Sequence, residues 1–356
     1  GTTLVESKVN GMKSWGVDIN PVAVMITKSK ITPIDPIDLE QSFIHLKDKI
    51  NSYSDGMAVE MPKHERIDYW FKPLEKKKLS FILNIINEVK DPVIRNFYYC
   101  AFSNSLKNCS IWLQKSNKPT RDLNKTPSDP LVYFLKQTKS MMKGNYEFNS
   151  KLTKEGFQNI ESTVSCDDAR HIPIESDLVD LIITSPPYVT SYEYADLHQL
   201  SALWFEYIRD LSEFRKKFIG TSFHDNRDIE VNSVIGTEIV NDLFKVDKKK
   251  SKEVANYFSE MNEVFNDMFR LLKKGGKSCI VVGDTAIRKV PILNSQVFVE
   301  QMQNIGFKIH NIIKREIPSK NLPSVRDEVT GKFAKITNSN KVLVYPTEFI
   351  LVMEKI

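Results

Sequence analysis

The sequence contains no run of apolar residues long enough to cross a bilayer, and its opening, Gly1-Thr2-Thr3-Leu4-Val5-Glu6, lacks the basic region and apolar stretch of a secretory leader. Membrane roles drop out, and an intracellular protein is expected. Cysteine is scarce. Cys100, Cys109, Cys166 and Cys279 are too widely spaced for a Cys-x-x-Cys motif, so buried free thiols are expected rather than a disulfide framework. The six histidines, His45, His64, His171, His198, His224 and His310, show no metal-ligand spacing, so no zinc or iron site is expected. There is no internal repeat and little excess charge. Fifty Lys and Arg against 45 Asp and Glu leave a net charge of +5, only a faint lean toward a polyanionic partner.

What is present is the texture of an α/β protein with an interruption. The 356 residues, 41% hydrophobic and 27% charged, suffice for one large domain with extra material. The spacing predicts a helix over 2–8, a turn at Asn10-Gly11 and a short strand, Trp15-Gly16-Val17-Asp18, that stops at Asn20-Pro21. From residue 38 to about 150 the pattern changes to aromatic-rich helical periodicity, as in Tyr69-Trp70-Phe71 and Phe97-Tyr98-Tyr99, and reads as a helical insertion. The core then has a first part at 1–37 and a catalytic part at 151–356. In the latter, a buried strand over 178–184 ends at Ser185-Pro186-Pro187-Tyr188, and a helix over 254–272 has Gly275-Gly276 as its stop. A strand over 278–282 follows, then a helix near 296–304. Two strands at 307–313 and 348–353 have no helix between them and should be antiparallel neighbours.

Thr184-Ser185-Pro186-Pro187-Tyr188 carries the most chemistry. The lone pair of an aromatic amine is delocalised into its ring. If the Ser185 hydroxyl and the Pro186 carbonyl each accept one amino hydrogen, the nitrogen can pyramidalise and aim its lone pair at an incoming methyl group. Pro186 and Pro187 fix the backbone beforehand, and Tyr188 offers a face on which an extruded base can stack. Asp18, at the end of its strand, can receive both hydroxyls of a ribose, and Asn20-Pro21 makes a sharp exit. Gly1-Thr2-Thr3 reads as the end of a glycine-rich loop at a helix N-terminus. Asp168, or its neighbour Asp167, is placed to accept an adenine amino group. These loops lie at the carboxyl ends of strands, where ligands sit in open α/β sheets.

Together, Gly1-Thr2-Thr3-Leu4-Val5-Glu6, Gly16-Val17-Asp18-Ile19-Asn20-Pro21, Asp168-Ala169-Arg170 and Thr184-Ser185-Pro186-Pro187-Tyr188 resemble the ordered motifs of the amino-methylating DNA methyltransferases. The resemblance implies a Rossmann-like methyltransferase fold, a mostly parallel sheet with an antiparallel last strand. It implies S-adenosyl-L-methionine as cofactor, held by Gly1, Thr2, Thr3, Asp18, Asn20, Asp168 and Ala169. Ser185, Pro186, Pro187 and Tyr188 would hold a flipped base in double-stranded DNA. The serine form is typical of cytosine-N4 enzymes, whereas Asp or Asn at position 185 is typical of adenine-N6 enzymes. A role in restriction-modification, beside a restriction endonuclease in a prokaryotic cytoplasm at the nucleoid, follows from the same likeness.

The family pattern also has a strand and glycine-rich loop before Thr2-Thr3. The sequence starts at the last glycine, so either a longer chain or a second polypeptide is expected to supply that strand. Contacts to DNA are expected from 212–252 and 319–345, with Tyr192, Arg215, Lys216, Arg326 and Lys332 as candidates. Methylation of cytosine carbon is set aside, because none of the four cysteines follows a proline as that family's nucleophile commonly does. Asp196 and His198 read as helix-start residues. An RNA base methyltransferase and a non-catalytic DNA-binding or scaffold subunit remain as alternatives.

Overall fold

The computed structural model describes residues 1–116, 118–189, 194–221, 229–317, 325–327, 334–343 and 347–356. The chain forms two units, Gly1–Asp168 with Tyr194–Arg215, and Ala169–Glu193 with Lys216–Ile356.

The first unit opens with α1 (Thr2–Val9), β1 (Ser14–Val17) and α2 (Pro21–Ile31), continues through α3 (Pro36–Asn51), α4 (Glu65–Trp70), α5 (Pro73–Asn87), α6 (Pro92–Leu106) and α7 (Pro130–Glu155), and reaches β2 (Ser162–Ser165). Short helices α8 (Tyr194–Leu197), α9 (Gln199–Trp204) and α10 (Leu211–Lys216) come from the later segment. The starts of α2, α3, α6 and α7 are written locally. In each, Asn20, Asp35, Asp91 or Asp129 caps the helix through its side-chain oxygen, and the next residue is a proline, whose fixed φ suits the first helical position. The helices share a core in which Trp70 stacks on Trp112 with centroids 4.9 Å apart, and Leu200, Leu203 and Trp204 of α9 join it. β1 and β2 pair in parallel from Ser14↔Ser162 to Val17↔Ser165. Gly16 lets α1 lie close on β1, since a Cβ there would stand 2.6 Å from Leu4 Cδ1.

The second unit contains β3 (Val179–Thr184), α11 (Val234–Val246), α12 (Lys248–Leu271), β4 (Leu272–Val282), β5 (Thr285–Ile287), β6 (Val290–Ile292), α13 (Asn294–Ile305), β7 (Phe307–Glu316), β8 (Val325–Asp327), β9 (Lys341–Leu343) and β10 (Thr347–Lys355). Its four-stranded sheet has the order β3-β4-β10-β7, with β3 parallel to β4 and β10 antiparallel to both β4 and β7. β3, β4 and β7 therefore run one way and the last strand runs against them, as expected for the Rossmann-like methyltransferase sheet. The two closing strands are antiparallel neighbours, and β8–β9 pair as a small hairpin within the connection between them. One sheet face, with Ile280, Val282, Leu351 and Met353, packs on α12 and α13 through Phe258, Phe265 and Phe298. On the other face Leu181 and Ile183 of the edge strand β3 are 46% and 47% exposed.

Gly275-Gly276 do not stop α12, which ends at Leu271 and turns directly into β4. They lie within β4, where pairing to β3 shifts register between Val179 and Leu181 and Gly275 takes φ +78°, a bulge that other residues resist. The same helix begins earlier than its apolar spacing indicates. Asp247 accepts from Lys250 N, so Lys248-Lys249-Lys250 form a capped first turn. Not all the thiols are buried either. Cys109 is, but Cys166 is exposed at the exit of β2. Among the described residues no helix is long and apolar enough to cross a membrane.

Candidate active site

The turn after β3 belongs to the second unit. Ser185 is exposed, Pro186 buried and Tyr188 half-buried. From α12 the fully buried Tyr257 donates its hydroxyl to the Pro187 carbonyl at 2.8 Å. Among the described residues the Pro186 carbonyl accepts no hydrogen bond. Gly220, at φ +75°, passes between these parts: a Cβ there would lie 3.1 Å from the Tyr257 ring and 3.7 Å from the Tyr188 carbonyl. Its N–H donates to Glu260 Oε2 at 3.1 Å, while Glu260 Oε1 takes Arg170 Nη1 at 2.8 Å. Behind the acceptor tyrosine runs the backbone that leaves β4. A Cβ on Gly283 would stand 3.5 Å from Tyr188 Cε1, so the ring rests along bare main chain.

A second turn, in the first unit, follows β1. Asp18 N donates to Ser165 O at 3.3 Å, and Asp18 Oδ1 accepts from Asn20 N at 2.9 Å. Oδ2 has no hydrogen-bond partner among the described residues, which leaves an open acceptor. The side chain reaches solvent but is crowded by protein. Desolvation raises its carboxyl above the usual range, opposed by the Asn20 N–H and by His198. Asn20 is buried and bonds in two directions. Its Oδ1 accepts from Val22 N at 3.0 Å, and its Nδ2 meets His198 Nδ1 at 2.7 Å.

The parallel pairing of β1 and β2 brings the segments of two expected cofactor residues together. Asp18 leaves β1 beside the start of the loop that leads from β2 to the half-buried Asp168, and Cys166 Sγ bonds Ile19 O at 3.7 Å. Gly1 caps α1 by backbone alone, with Thr2 and Thr3 exposed in the first turn. Ala169 falls in the second unit and packs against its core.

Of the expected DNA contacts, Arg215 is engaged within the protein, its Nε and Nη2 at 3.0 and 2.6 Å from Asp196 Oδ1. Lys216 closes α10 and Arg326 lies in β8, while Tyr192 and Lys332 lie outside the described residues. Asp196 and His198 do stand at helix starts, Asp196 in the first turn of α8 and His198 at the N-cap position of α9, but among the described residues neither side chain caps its helix: Asp196 pairs with Arg215, and His198 reaches back to Asn20. Tyr257 had only the three-and-four spacing of an apolar helix face, and nothing local marks its hydroxyl as a clamp. Among the described residues no three His, Cys, Asp or Glu side chains are grouped to hold a metal.

Comparison with known proteins places the chain in a family. Residues 179–355, about half of the chain, match a family model described as DNA methylase, of the N6/N4 type. Type II methyltransferase M.MvaI of Kocuria varians is 24% identical over 381 residues, covering 98% of this chain and 83% of that protein. Type II methyltransferase M.BsoBI of Geobacillus stearothermophilus is 21% identical over 371 residues, covering 86% and 71%. Among solved structures, TTHA0409 of Thermus thermophilus, assigned as a DNA modification methylase, aligns at 18% identity with a TM-score of 0.29 over 53% of this chain and 52% of its own. The match thus spans about half of that chain, and a further structure of the same protein is complexed with S-adenosyl-L-methionine. The chain belongs to the amino-methylating DNA methyltransferases, the N6/N4 DNA methylase family.

Proposed function

We propose that this DNA methyltransferase transfers a methyl group from S-adenosyl-L-methionine to N4 of cytosine in double-stranded DNA, as the type II modification partner of a restriction endonuclease. The observation that carries the reading is the Tyr257–Pro187 hydrogen bond. It occupies the second proline's carbonyl and leaves the exposed Ser185 hydroxyl and the Pro186 carbonyl as the acceptors of this turn. Those two accept the two hydrogens of the target amine and turn its lone pair outward. Tyr188, backed by the Gly283 main chain, stacks on the flipped base. Serine at position 185 rather than Asp or Asn favours cytosine over adenine.

The residues of the first unit fit the cofactor. Asp18 keeps Oδ1 on its own turn and leaves Oδ2 open, which suits a ribose hydroxyl. Asp168 takes the adenine amine, and the α1 N-terminus at Gly1, Thr2 and Thr3 faces its polar end, with Asn20 holding the turn. The cofactor supplies a methyl group already activated by its sulfonium, so this chain's residues need only align and desolvate. The proton shed by the methylated amine passes by way of exposed Ser185 to water. The edge of β3, with Leu181 and Ile183 about half exposed, supports the expectation of a further strand there.

The test is transfer of labelled methyl to unmethylated genomic DNA by the full-length protein, followed by nucleoside analysis. N4-methylcytosine is the expected product. N6-methyladenine would overturn the base assignment while keeping the acceptor chemistry, and incorporation into tRNA alone would overturn DNA as the substrate.

A further inference from the structure

We propose that His198 is a positioning residue of the cofactor half, holding the Asp18–Asn20 turn through a hydrogen bond that only its neutral ring can accept. This rests on the reading above that Asp18 receives the ribose. Asn20 fixes which nitrogen of the ring is protonated. Its Oδ1 is taken by Val22 N, so the atom that meets His198 Nδ1 at 2.7 Å is the NH2 group, which donates. Nδ1 therefore carries no proton, and the ring is the Nε2–H tautomer.

Asn20 in turn is one residue from Ile19, whose carbonyl meets Cys166, and its own N–H fixes Asp18 Oδ1. Every bond that sets the direction of Asp18 Oδ2 thus involves the backbone or side chain of this three-residue turn. Asp18 N on Ser165 O and Cys166 Sγ on Ile19 O tie the backbone of the turn to β2 and its exit, and His198 is the contact that ties the Asn20 side chain to the start of α9. That element is rigid. Residues 199–204 are all buried, Leu200, Leu203 and Trp204 belong to the helical core, and Gln199 is held by Arg66 Nη2 at 3.1 Å. A half-buried imidazole with a helix-start address in sequence thereby becomes the strut behind a ligand carboxylate. It touches neither cofactor nor base in this account.

The test is S-adenosyl-L-methionine binding by calorimetry on the full-length protein, with DNA affinity and kcat at saturating cofactor measured alongside. His198→Leu keeps bulk but removes the acceptor, and should weaken the cofactor roughly 5- to 30-fold, the range for leaving a buried amide donor unpaired. DNA affinity and saturated kcat should stay within about 2-fold by the same bookkeeping. His198→Asn places Oδ1 where the imidazole has Nδ1 and should restore binding. Asn20→Ser keeps an oxygen for Val22 N but ends one bond short of the amide nitrogen that reaches His198, so it should match His198→Leu, and the double variant should be no worse than either alone. The proposal is overturned if His198→Leu leaves cofactor affinity unchanged while Asp18→Ala weakens it, if the double variant is additive, or if affinity, kcat and melting temperature all fall together and His198→Asn rescues none of them. If Asp18→Ala itself binds normally, the ribose reading fails instead, which distinguishes the two failures.

Discussion

β3 and β1 each run into a turn to which the proposed function assigns ligand chemistry, but the two turns are stiffened by different means. After β3, two pyrrolidine rings fix successive φ values and a fully buried tyrosine takes one carbonyl. After β1, no ring restrains the chain until Pro21, and Asp18-Ile19-Asn20 is held by Asn20 N on Asp18 Oδ1, Val22 N on Asn20 Oδ1, and Asn20 Nδ2 on His198. Covalent restraint holds one geometry through bond making, which suits a turn that must keep a nucleophilic lone pair in line. Polar restraint is softer and depends on protonation, which would suit a turn that, as proposed, admits one cofactor and releases its product in every cycle.

The comparison breaks most severely on the acceptor side. Glu260 is 5% exposed and Arg170 12%, and they join the 170 segment to α12 and Gly220 beneath the acceptor turn. Glu260→Ala removes a buried carboxylate that accepts from both Arg170 Nη1 and Gly220 N, and the loss of two hydrogen bonds to a charged group should cost about 3–5 kcal/mol of stability in denaturant titration. Ser185→Ala acts on chemistry alone. Loss of one positioned hydrogen-bond partner at a reacting centre lowers kcat by about 10²- to 10³-fold, and cofactor binding by calorimetry should not change. Tyr257→Phe is milder, removing the clamp on the Pro187 carbonyl with almost no change in volume. A cost of about 1 kcal/mol in stability and a roughly 10-fold drop in single-turnover rate are expected, because the prolines still restrain the turn.

The turns differ equally in how far they could be read from sequence. Ser-Pro-Pro-Tyr announces itself, since prolines constrain the backbone wherever they stand, and the antiparallel pairing of the last two strands followed from the absence of a helix between them. Asp18 was legible only as a carboxylate at a strand end. The groups that make either turn rigid were not. Tyr257 follows the same helical spacing as Phe258, Met261 and Phe265, and a hydroxyl that finds a carbonyl 70 residues away leaves no local mark. His198 stands where a helix starts, and its actual partner is 178 residues earlier. The glycines at 275 and 276 were misread for the same reason: a helix stop and a strand bulge both favour φ > 0, and only the register between β3 and β4 tells them apart.

Acidification gives the smallest effect and the finest separation of the two turns. Desolvation lowers the His198 pKa from its ordinary value of 6.5, with the Asp18 charge opposing, and desolvation raises the Asp18 carboxyl above 3.8. Those two face each other across the turn, while the charges nearest in sequence, Asp196 with Arg215, and Arg66 on Gln199, are already engaged. Because the folded His198 takes a proton less readily than the unfolded chain, the stability it contributes is full above about pH 6.5 and is lost as pH falls below that value. The raised Asp18 works in the opposite sense, its folded-state penalty easing as pH falls through its elevated value toward 3.8. On the proposed reading both protonations should weaken cofactor binding, the first by breaking the bond to Asn20 and the second by discharging the carboxylate. The stability difference between wild type and His198→Asn should therefore be near zero above pH 7 and should open against wild type as pH falls below 6.5. Cofactor affinity of the variant should fall later, with Asp18 alone. Ser185, Pro186 and Pro187 carry no ionisable side chain, so kcat at saturating cofactor should be flat over the same interval. A parallel fall in saturated kcat would show that the two turns share one pH-sensitive restraint.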